Sequence, residues 1–270
     1  MTTLKISPRS PDAEGRIIDI TPESAGWTYV GFEVRRLDAG QACDIAFTDR
    51  EACIMVLTGT ASVEAGGAIH PDLGGRESVF DDAAPGALYL PAGTPCSIQA
   101  SNACEIAICT APGTGAGEPR RIDPARMTVE HRGQGTNVRH VRNILPETEP
   151  AESLLITEVI TPGGHWSSYP PHRHDEDAEP RVTALEETYY HRLHPPQGFA
   201  FQRVYTDDRS LDETLCVEDG DVVLVPRGYH PVGAPHGYDL YYLNVMAGPT
   251  RKWIFHNDPA HAWVVNADRP

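Results

Sequence analysis

Histidine is the residue type that this sequence concentrates in one stretch, between His165 and His230. Nine of the twelve histidines lie at or beyond His165, and two of them, His172 and His174, are separated by a single residue. On an extended strand, side chains two positions apart point to the same face, so these two imidazoles form a chelating pair. Imidazole is the commonest metal ligand in proteins, and the stretch therefore predicts a metal site.

A carboxylate and a third imidazole complete the predicted ligand set. Glu187 shares a strand face with Tyr189 and His191, whereas its neighbour Glu186 faces the opposite way. His230 follows a Pro-x-Gly turn at the end of an apolar strand. Three histidines and one glutamate suit zinc, iron(II), manganese or nickel and leave positions open for water or substrate. We predict one divalent metal, with zinc favoured, bound by His172, His174, Glu187 and His230.

The elements that must position these residues read as short β-strands joined by turns. Glycine and proline are plentiful, at 24 each, which favours many short elements over a few long helices. Apolar or alternating runs, such as Leu154–Thr161, Phe199–Tyr205 and Leu240–Met246, are separated by turn residues. This pattern is typical of a sandwich or a barrel, so the sequence predicts an all-β protein.

A change of composition divides the chain. Glycine, proline and charge dominate from Pro112 to Gly135, as in a linker. We predict an N-terminal domain over 1–113, a linking segment over 114–136 and a C-terminal domain over 137–270. Each domain contains an apolar strand that runs into a Pro-x-Gly turn, at Gly86–Gly93 and at Gly220–Gly228, but only the second turn is followed by a histidine. This internal echo predicts one barrel duplicated, with the first copy lacking metal ligands.

Composition excludes several classes of protein. The net charge of −16 and the pI of about 5.1 argue against nucleic-acid binding, which needs a basic face. The sequence has neither an apolar run long enough to cross a bilayer nor an apolar segment near Met1 typical of a signal peptide. We therefore expect a soluble, cytoplasmic protein with no membrane partner. The six cysteines form no C-x-x-C pair; Cys104 and Cys109 lie in an apolar run that indicates buried free thiols, and we expect none of the six to have a chemical role.

Two motifs in the histidine stretch resemble those of the cupin superfamily. They are H-x-H with a downstream glutamate, and G-x5-P-x-G-x-H. The spacing is looser than usual, because twelve residues separate His174 from Glu187. Glu176 and Glu179 fit the usual spacing better, but neither is followed by strand-like sequence, so Glu187 remains the predicted ligand. We expect an insertion at the strand turn to fill the gap.

A narrower resemblance extends from about Val138 to Trp263. The segments S-S-Y-P-P-H-R-H-D, L-E-E-T-Y-Y-H-R and D-V-V-L-V-P-R-G-Y-H-P resemble the 5-deoxy-glucuronate isomerase family of myo-inositol catabolism. That family is related to the 4-deoxy-threo-hexosulose-uronate ketol-isomerases of pectin breakdown. The resemblance implies a bicupin, that is, two tandem cupin barrels, with the metal in the C-terminal barrel. It carries the four metal ligands onto the residues named above.

The resemblance also implies a reaction, the conversion of the aldose 5-deoxy-D-glucuronate into the ketose 5-dehydro-2-deoxy-D-gluconate. Such an isomerisation needs a polarised carbonyl and either a proton carried between neighbouring carbons or a hydride shift. The candidates for the catalytic base are Tyr189, His191 and Tyr229. The carboxylate of a uronate-type sugar acid calls for an arginine, and Arg203 and Arg251 are the best placed in the sequence.

Two other functions fit the same ligand set. One is a different cupin metalloenzyme, such as an iron(II) dioxygenase, and the other is a non-catalytic sugar-binding bicupin. Retention of all four ligands weighs against a purely binding role. For any of these functions we expect a homo-oligomer, because tandem barrels of this kind commonly associate through exposed sheet edges.

Overall fold

The computed structural model describes residues 3–266 and is built almost entirely from β-strands, so the predicted all-β class is confirmed. The first part of the chain forms short strands and a single turn of α-helix. Their bounds are β1 (Lys5–Ile6), β2 (Arg16–Ile20), α1 (Pro22–Ala25), β3 (Gly31–Leu37), β4 (Ala42–Ile45), β5 (Arg50–Thr58), β6 (Thr60–Ala65), β7 (Ala68–Gly74), β8 (Gly86–Leu90), β9 (Cys96–Ala100), β10 (Cys104–Pro112) and β11 (Arg120–Arg121).

The second part of the chain also consists mainly of short β-strands. Its strands are β12 (Val129–Arg132), β13 (Arg139–Leu145), β14 (Leu155–Thr161), β15 (Trp166–Ser167), β16 (His172–Arg173), β17 (Asp175–Ala178), β18 (Val182–Ala184), β19 (Glu186–His194), β20 (Ala200–Tyr205), β21 (Asp212–Val217), β22 (Val222–Val225), β23 (Val232–Gly233), β24 (Asp239–Ala247) and β25 (His256–Asn257). Short 3-10 helices lie at Pro124–Arg126, Gly135–Asn137 and Ala262–Asn266. In the part of the chain that is described, no helix has the length and apolar character needed to cross a membrane.

The chain divides into two compact units, and each unit includes a short segment from the other half of the sequence. One unit consists of Pro8–Thr128 and Ile144–Leu155. The other consists of Val129–Asn143 and the described parts of Met1–Ser7 and Ile156–Pro270. We call them the N-terminal and the C-terminal unit. The predicted domain limits, at residues 113 and 137, stay a prediction.

The N-terminal unit packs two antiparallel sheets around an apolar interior. The sheets have the strand orders β11-β8-β5-β10-β3-β2 and β4-β9-β6-β7. Buried side chains from both sheets form one cluster that includes Ile54, Val56, Ile98 and Ile106, each no more than 1% exposed. The continuous apolar run in β5 matches its burial, because residues 51–57 are buried on both faces of the strand. The interior of this unit is filled by hydrocarbon and thiol side chains.

The C-terminal unit has the same two-sheet plan. Its sheets have the strand orders β1-β22-β19-β24-β14-β13-β12 and β15-β23-β20-β21, and two further strand pairs, β16-β25 and β17-β18, extend from them. Strand β19 lies inside the larger sheet, where Glu187 is opposite Val225 on one side and Met246 on the other. Every second side chain of β19 therefore points between the two sheets.

The repeated Pro-x-Gly turns are present in both units. Strands β8 and β22 are each followed by such a turn, and Gly93 and Gly228 adopt left-handed φ values of 78° and 88°. At Gly228 a side chain is also excluded sterically, because a Cβ atom there would lie 2.4 Å from the carbonyl oxygen of Tyr205. Reciprocal backbone hydrogen bonds between Tyr205 and Tyr229, of 2.9 and 2.7 Å, fix the chain that leads into His230.

A buried carboxylate anchors the segment Ile144–Leu155 within the N-terminal unit. Glu51 on β5 is fully buried and accepts hydrogen bonds from the backbone N–H groups of Glu152, Ser153 and Leu154 at 2.8, 2.6 and 2.6 Å. The hydroxyl of Tyr89 donates a fourth, at 2.5 Å. A carboxylate that satisfies several donors in this way is a strong organising interaction, because each donor would otherwise be buried without an acceptor.

We expect Glu51→Gln to lower the free energy of unfolding by about 2–4 kcal/mol, because the amide nitrogen cannot accept and leaves buried donors unsatisfied. Thermal or urea unfolding followed by circular dichroism measures this. The control is Tyr89→Phe, which removes one donor and keeps the carboxylate, and we expect it to lower stability by about 1 kcal/mol. Equal stability of Glu51→Gln and the unmodified protein would contradict this role for Glu51.

Candidate metal centre and adjoining cavity

The long gap between His174 and Glu187 is a β-hairpin. Strands β17 and β18 pair with each other, and the N–H of Leu185 donates a 2.9 Å hydrogen bond to the carbonyl oxygen of His174. The insertion expected at the strand turn is therefore present, and its two ends meet. The chain leaves the site at His174 and returns beside it at the start of β19, which allows Glu187 to lie next to a residue far away in sequence.

The four predicted ligands come together in the interior of the C-terminal unit. The ring centroid of His230 lies 4.8 Å from that of His172 and 5.0 Å from that of His174. The nearer carboxylate oxygen of Glu187 is 3.1 Å from Nε2 of His174 and 3.2 Å from Nε2 of His230. Ligand atoms of the three histidines lie within 4.8 Å of one another, and no other such group of His, Cys, Asp or Glu occurs in residues 3–266. All four side chains are at most 8% exposed.

The hydrogen bonds around the cluster leave imidazole nitrogens directed at its centre. Nδ1 of His174 donates to the carbonyl oxygen of Leu185 at 3.2 Å, and Nδ1 of His230 donates to that of Gly228 at 2.9 Å. Nε2 of His230 is buried and makes no hydrogen bond among the described residues; its position 3.2 Å from Glu187 lacks hydrogen-bond geometry. Backbone carbonyls that hold the outer nitrogen of a histidine are typical of metal sites, so these residues fit a divalent metal.

Burial sets the protonation of the histidines. It lowers the pKa of His172 well below its ordinary value, and the neighbouring His230 and His174 lower it further. Burial also lowers the pKa of His230, to about 4, against the opposing charge of Glu187. For His174, burial lowers the pKa, but the hydrogen bond to Glu187 and its charge outweigh this and raise it. His172 and His230 are thus neutral at pH 7, as metal ligation requires.

A cavity of about 360 Å³ adjoins the cluster, and His172 is the ligand that lines it. The wall contains two arginines, Arg132 and Arg139, and no aspartate or glutamate among the described residues. Its other polar or aromatic members are Gln134, Asn137, Ser168, Tyr169, Tyr189, Tyr242, Asn244, Trp253, Phe255 and Asn257. The cavity therefore offers a metal-facing side, hydroxyl groups and positive charge to one small molecule.

Of the three candidate bases, the structure brings one to this cavity. Tyr189 lines it, and its phenol oxygen lies 2.9 Å from Oγ of Ser168, a residue held at a left-handed φ of 49°. Burial raises the pKa of Tyr189 well above its ordinary value. His191 and Tyr229 do not line the cavity: Nε2 of His191 is 3.0 Å from Oε1 of Gln202, and the hydroxyl of Tyr229 donates to Asp207 at 3.0 Å.

The two arginines predicted to bind the substrate lie elsewhere. Arg203 forms a two-pronged ion pair with Asp212, with both N–O distances at 2.8 Å, and it is 40% exposed. Arg251 is half-buried and, like Arg203, does not line the cavity. Sequence reasoning missed Arg132 and Arg139, which do line it. The available signal was the alternation in β13, because Arg139 shares a strand face with the buried Val141.

Solved structures of similar fold place this architecture in a known class. An oxalate decarboxylase of Bacillus subtilis matches with a TM-score of 0.67 and 15% sequence identity, over 95% of this chain and 80% of that one. The fold is thus that of a bicupin, as the sequence predicts. A crystal structure of an IolB-like protein from Salmonella typhimurium matches far more closely, with a TM-score of 0.94 and 48% identity over 97% of this chain and 99% of that one.

Sequence comparison gives the particular family. Residues 5–264 match the KduI/IolB family, to which this chain belongs. A 5-deoxy-glucuronate isomerase of Geobacillus kaustophilus is 52% identical over 99% of this chain and 97% of its own length. A 5-deoxy-glucuronate isomerase of Bacillus subtilis is 48% identical over 92% of each chain. The protein is an enzyme of the isomerase class.

We expect His174→Ala and His230→Ala to lose bound metal while remaining folded, because each removes one ligand and leaves intact the apolar cluster of the C-terminal unit, which includes Val204, Val223 and Leu240. Elemental analysis of the purified variants measures the metal, and a thermal melt measures folding. The matched control is His236→Ala, which replaces an exposed histidine outside the cluster. Full metal content in His174→Ala would show that the cluster does not hold the metal.

Proposed function

We propose that this protein is a metal-dependent aldose–ketose isomerase that converts 5-deoxy-D-glucuronate into 5-dehydro-2-deoxy-D-gluconate, a step of myo-inositol catabolism. The observation that carries the proposal is the buried cluster of three histidines and Glu187 at the edge of a cavity sized for a small molecule. Relatives of about half identical sequence and nearly full coverage have the name of this isomerase.

The metal ligands in this proposal are His172, His174, Glu187 and His230. Three imidazole nitrogens and one carboxylate suit zinc best, and manganese, iron(II) and nickel accept the same donors. A divalent metal bound there would act as a Lewis acid on a carbonyl oxygen and the adjacent hydroxyl oxygen of an aldose. Because His172 lines the cavity, it is the ligand nearest to a bound sugar.

Tyr189 supplies a proton to the reacting end of the sugar. Since its pKa is raised by burial, the phenol is protonated at neutral pH and donates a hydrogen bond to a substrate oxygen. Ser168, 2.9 Å away, holds the phenol oxygen in place and offers a second hydroxyl through which a proton can pass. In a hydride-shift route the protons balance on Tyr189: the phenol gives its proton to O1 as the hydride moves from C2 to C1, and the phenolate then accepts the proton of the C2 hydroxyl.

We expect Tyr189→Phe to lower kcat about 100-fold, with little change in KM, since acid–base groups contribute factors of this size to the chemical step. Steady-state kinetics measures this, and metal content and melting temperature should match those of the unmodified protein. The control is Tyr238→Phe, which changes a half-buried tyrosine outside the cavity. A kcat equal to that of the unmodified protein would remove Tyr189 from the mechanism.

The overall activity is tested by incubating metal-loaded protein with 5-deoxy-D-glucuronate under anaerobic conditions and following the products by NMR. We expect the ketose to form, to be abolished by a chelator and to be restored by added zinc. Restoration by iron(II) alone, with oxygen uptake, would indicate a dioxygenase, and tight binding of the sugar without turnover would indicate a binding protein. An unchanged substrate with metal-loaded protein would refute the proposed reaction.

We also propose that the enzyme acts in the cytoplasm as a homo-oligomer. The support for the oligomer is the pair of edge strands β12 and β21, each at one end of a sheet of the C-terminal unit. Light scattering coupled to size-exclusion chromatography measures the mass in solution, and a mass equal to that of one chain would contradict the oligomer.

A further inference from the structure

The adjoining cavity has a charge opposite to that of the whole chain. The sequence contains 38 acidic and 22 basic residues, yet among the described residues the only side chains with a permanent charge that line the cavity are Arg132 and Arg139. Positive charge inside a cleft of low polarity attracts an anionic group far more strongly than the same charge on the surface. The lining therefore favours a ligand that carries a negative charge.

The guanidinium groups of the two arginines differ in the residues that they already contact. Nε of Arg132 donates to a carboxylate oxygen of Glu130 at 2.8 Å, and its guanidinium lies over the ring of Trp253, 5.6 Å from the centroid. Arg139 donates to the backbone carbonyl oxygen of Asn137 at 3.1 Å, and in the described part of the chain no carboxylate lies within ion-pair distance of it. Arg139 is thus the cavity cation whose charge the protein leaves without a counter-ion.

A half-buried guanidinium without a counter-ion is unfavourable on its own. Burial is the largest cause that lowers the pKa of Arg139, and the charge of Arg132 lowers it further. Arg139 lines the same cavity as His172, Tyr189 and Tyr242. Arg139 therefore faces the same space as the metal-binding side and the proposed acid, and an anionic ligand there would offset its desolvation.

We propose that Arg139 is a specificity-determining residue that binds the carboxylate of the sugar acid and thereby directs the aldehyde end towards His172. This inference rests on the function proposed above and adds the residue that selects a uronate over a neutral aldose. The planar guanidinium presents paired N–H donors that match the two oxygens of a carboxylate, which fixes direction as well as charge. Arg203 has the same paired N–H donors, but the two carboxylate oxygens of Asp212 already accept from them.

The test compares two substrates that differ only at the end proposed to contact Arg139. 5-Deoxy-D-glucuronate carries a carboxylate there, and 5-deoxy-D-glucose carries a hydroxymethyl group. For Arg139→Gln we expect KM for the uronate to rise about 10- to 100-fold, as for a lost charge-assisted hydrogen bond, with kcat changed far less. Activity on the neutral sugar should stay as it is in the unmodified enzyme, so that the ratio of kcat/KM for the uronate to kcat/KM for the neutral sugar falls. Arg139→Lys should restore part of it.

Arg209→Gln is the matched control, since it removes an exposed arginine that does not line the cavity. An unchanged KM for the uronate in Arg139→Gln would overturn the inference. So would an equal loss on both sugars together with lower metal content or melting temperature, which would indicate a structural role. A large increase of KM in Arg203→Gln, with none in Arg139→Gln, would indicate that Arg203, which the sequence favours, binds the substrate carboxylate.

Failure of the proposed reaction is distinguishable from failure of this inference. If the unmodified, metal-loaded enzyme leaves 5-deoxy-D-glucuronate unchanged, the reaction is refuted and the carboxylate site is tested by binding alone. Calorimetric titration with D-glucuronate should then show binding that Arg139→Gln weakens at least about 10-fold, while D-glucose binds both proteins equally weakly. Equal binding of D-glucuronate to both proteins would refute the site as well.

Discussion

The pairing of one buried carboxylate with two imidazoles is the constraint on which the C-terminal unit depends. Glu187 lies in the middle of the larger sheet, where a negative charge is strongly disfavoured unless positive or metal-bound groups surround it. His174 meets this demand through its 3.1 Å contact with the carboxylate, and Nε2 of His230 lies 3.2 Å from the same oxygen, where a metal bound by both histidines would also meet it. The hairpin closure at Leu185 and the glycine turn at Gly228 place both histidines next to the carboxylate of Glu187.

The contrast between the two units shows which packing interactions a polar cluster replaces. Both have a pair of antiparallel sheets, but the interior of the N-terminal unit is filled by side chains such as Ile54 and Ile98, while that of the C-terminal unit contains polar rings and hydroxyls near the cluster. An apolar interior stabilises its sandwich through close packing. An interior with a polar cluster gives up part of that packing for groups that are held by hydrogen bonds, such as the carbonyl contacts of His174 and His230.

Local patterns in the sequence are sufficient to predict the strands and the residues of the ligand cluster. Alternation along β19 is enough to set Glu187, Tyr189 and His191 on one face, and the Pro-x-Gly turn is enough to expect His230 after a buried strand. The cavity wall is different, because it depends on pairings between strands that the sequence does not display. Arg203 looks well placed until the register of β20 and β21 sets it opposite Thr214, close to Asp212. Arg132 lies in glycine-rich sequence that reads as a linker, although it ends a paired strand.

The hairpin between His174 and Glu187 has a further consequence for how this scaffold can change. Since the hydrogen bond from Leu185 to His174 closes the hairpin at its base, the separation of the two ligands is independent of how many residues lie between them. Asp175 and Thr183 in this hairpin also bond Gly228, Lys252 and Ile254, so only the tip beyond them is expected to tolerate additions as a surface loop does. The tip of the hairpin is thus a suitable point for grafting a tag or a short binding element.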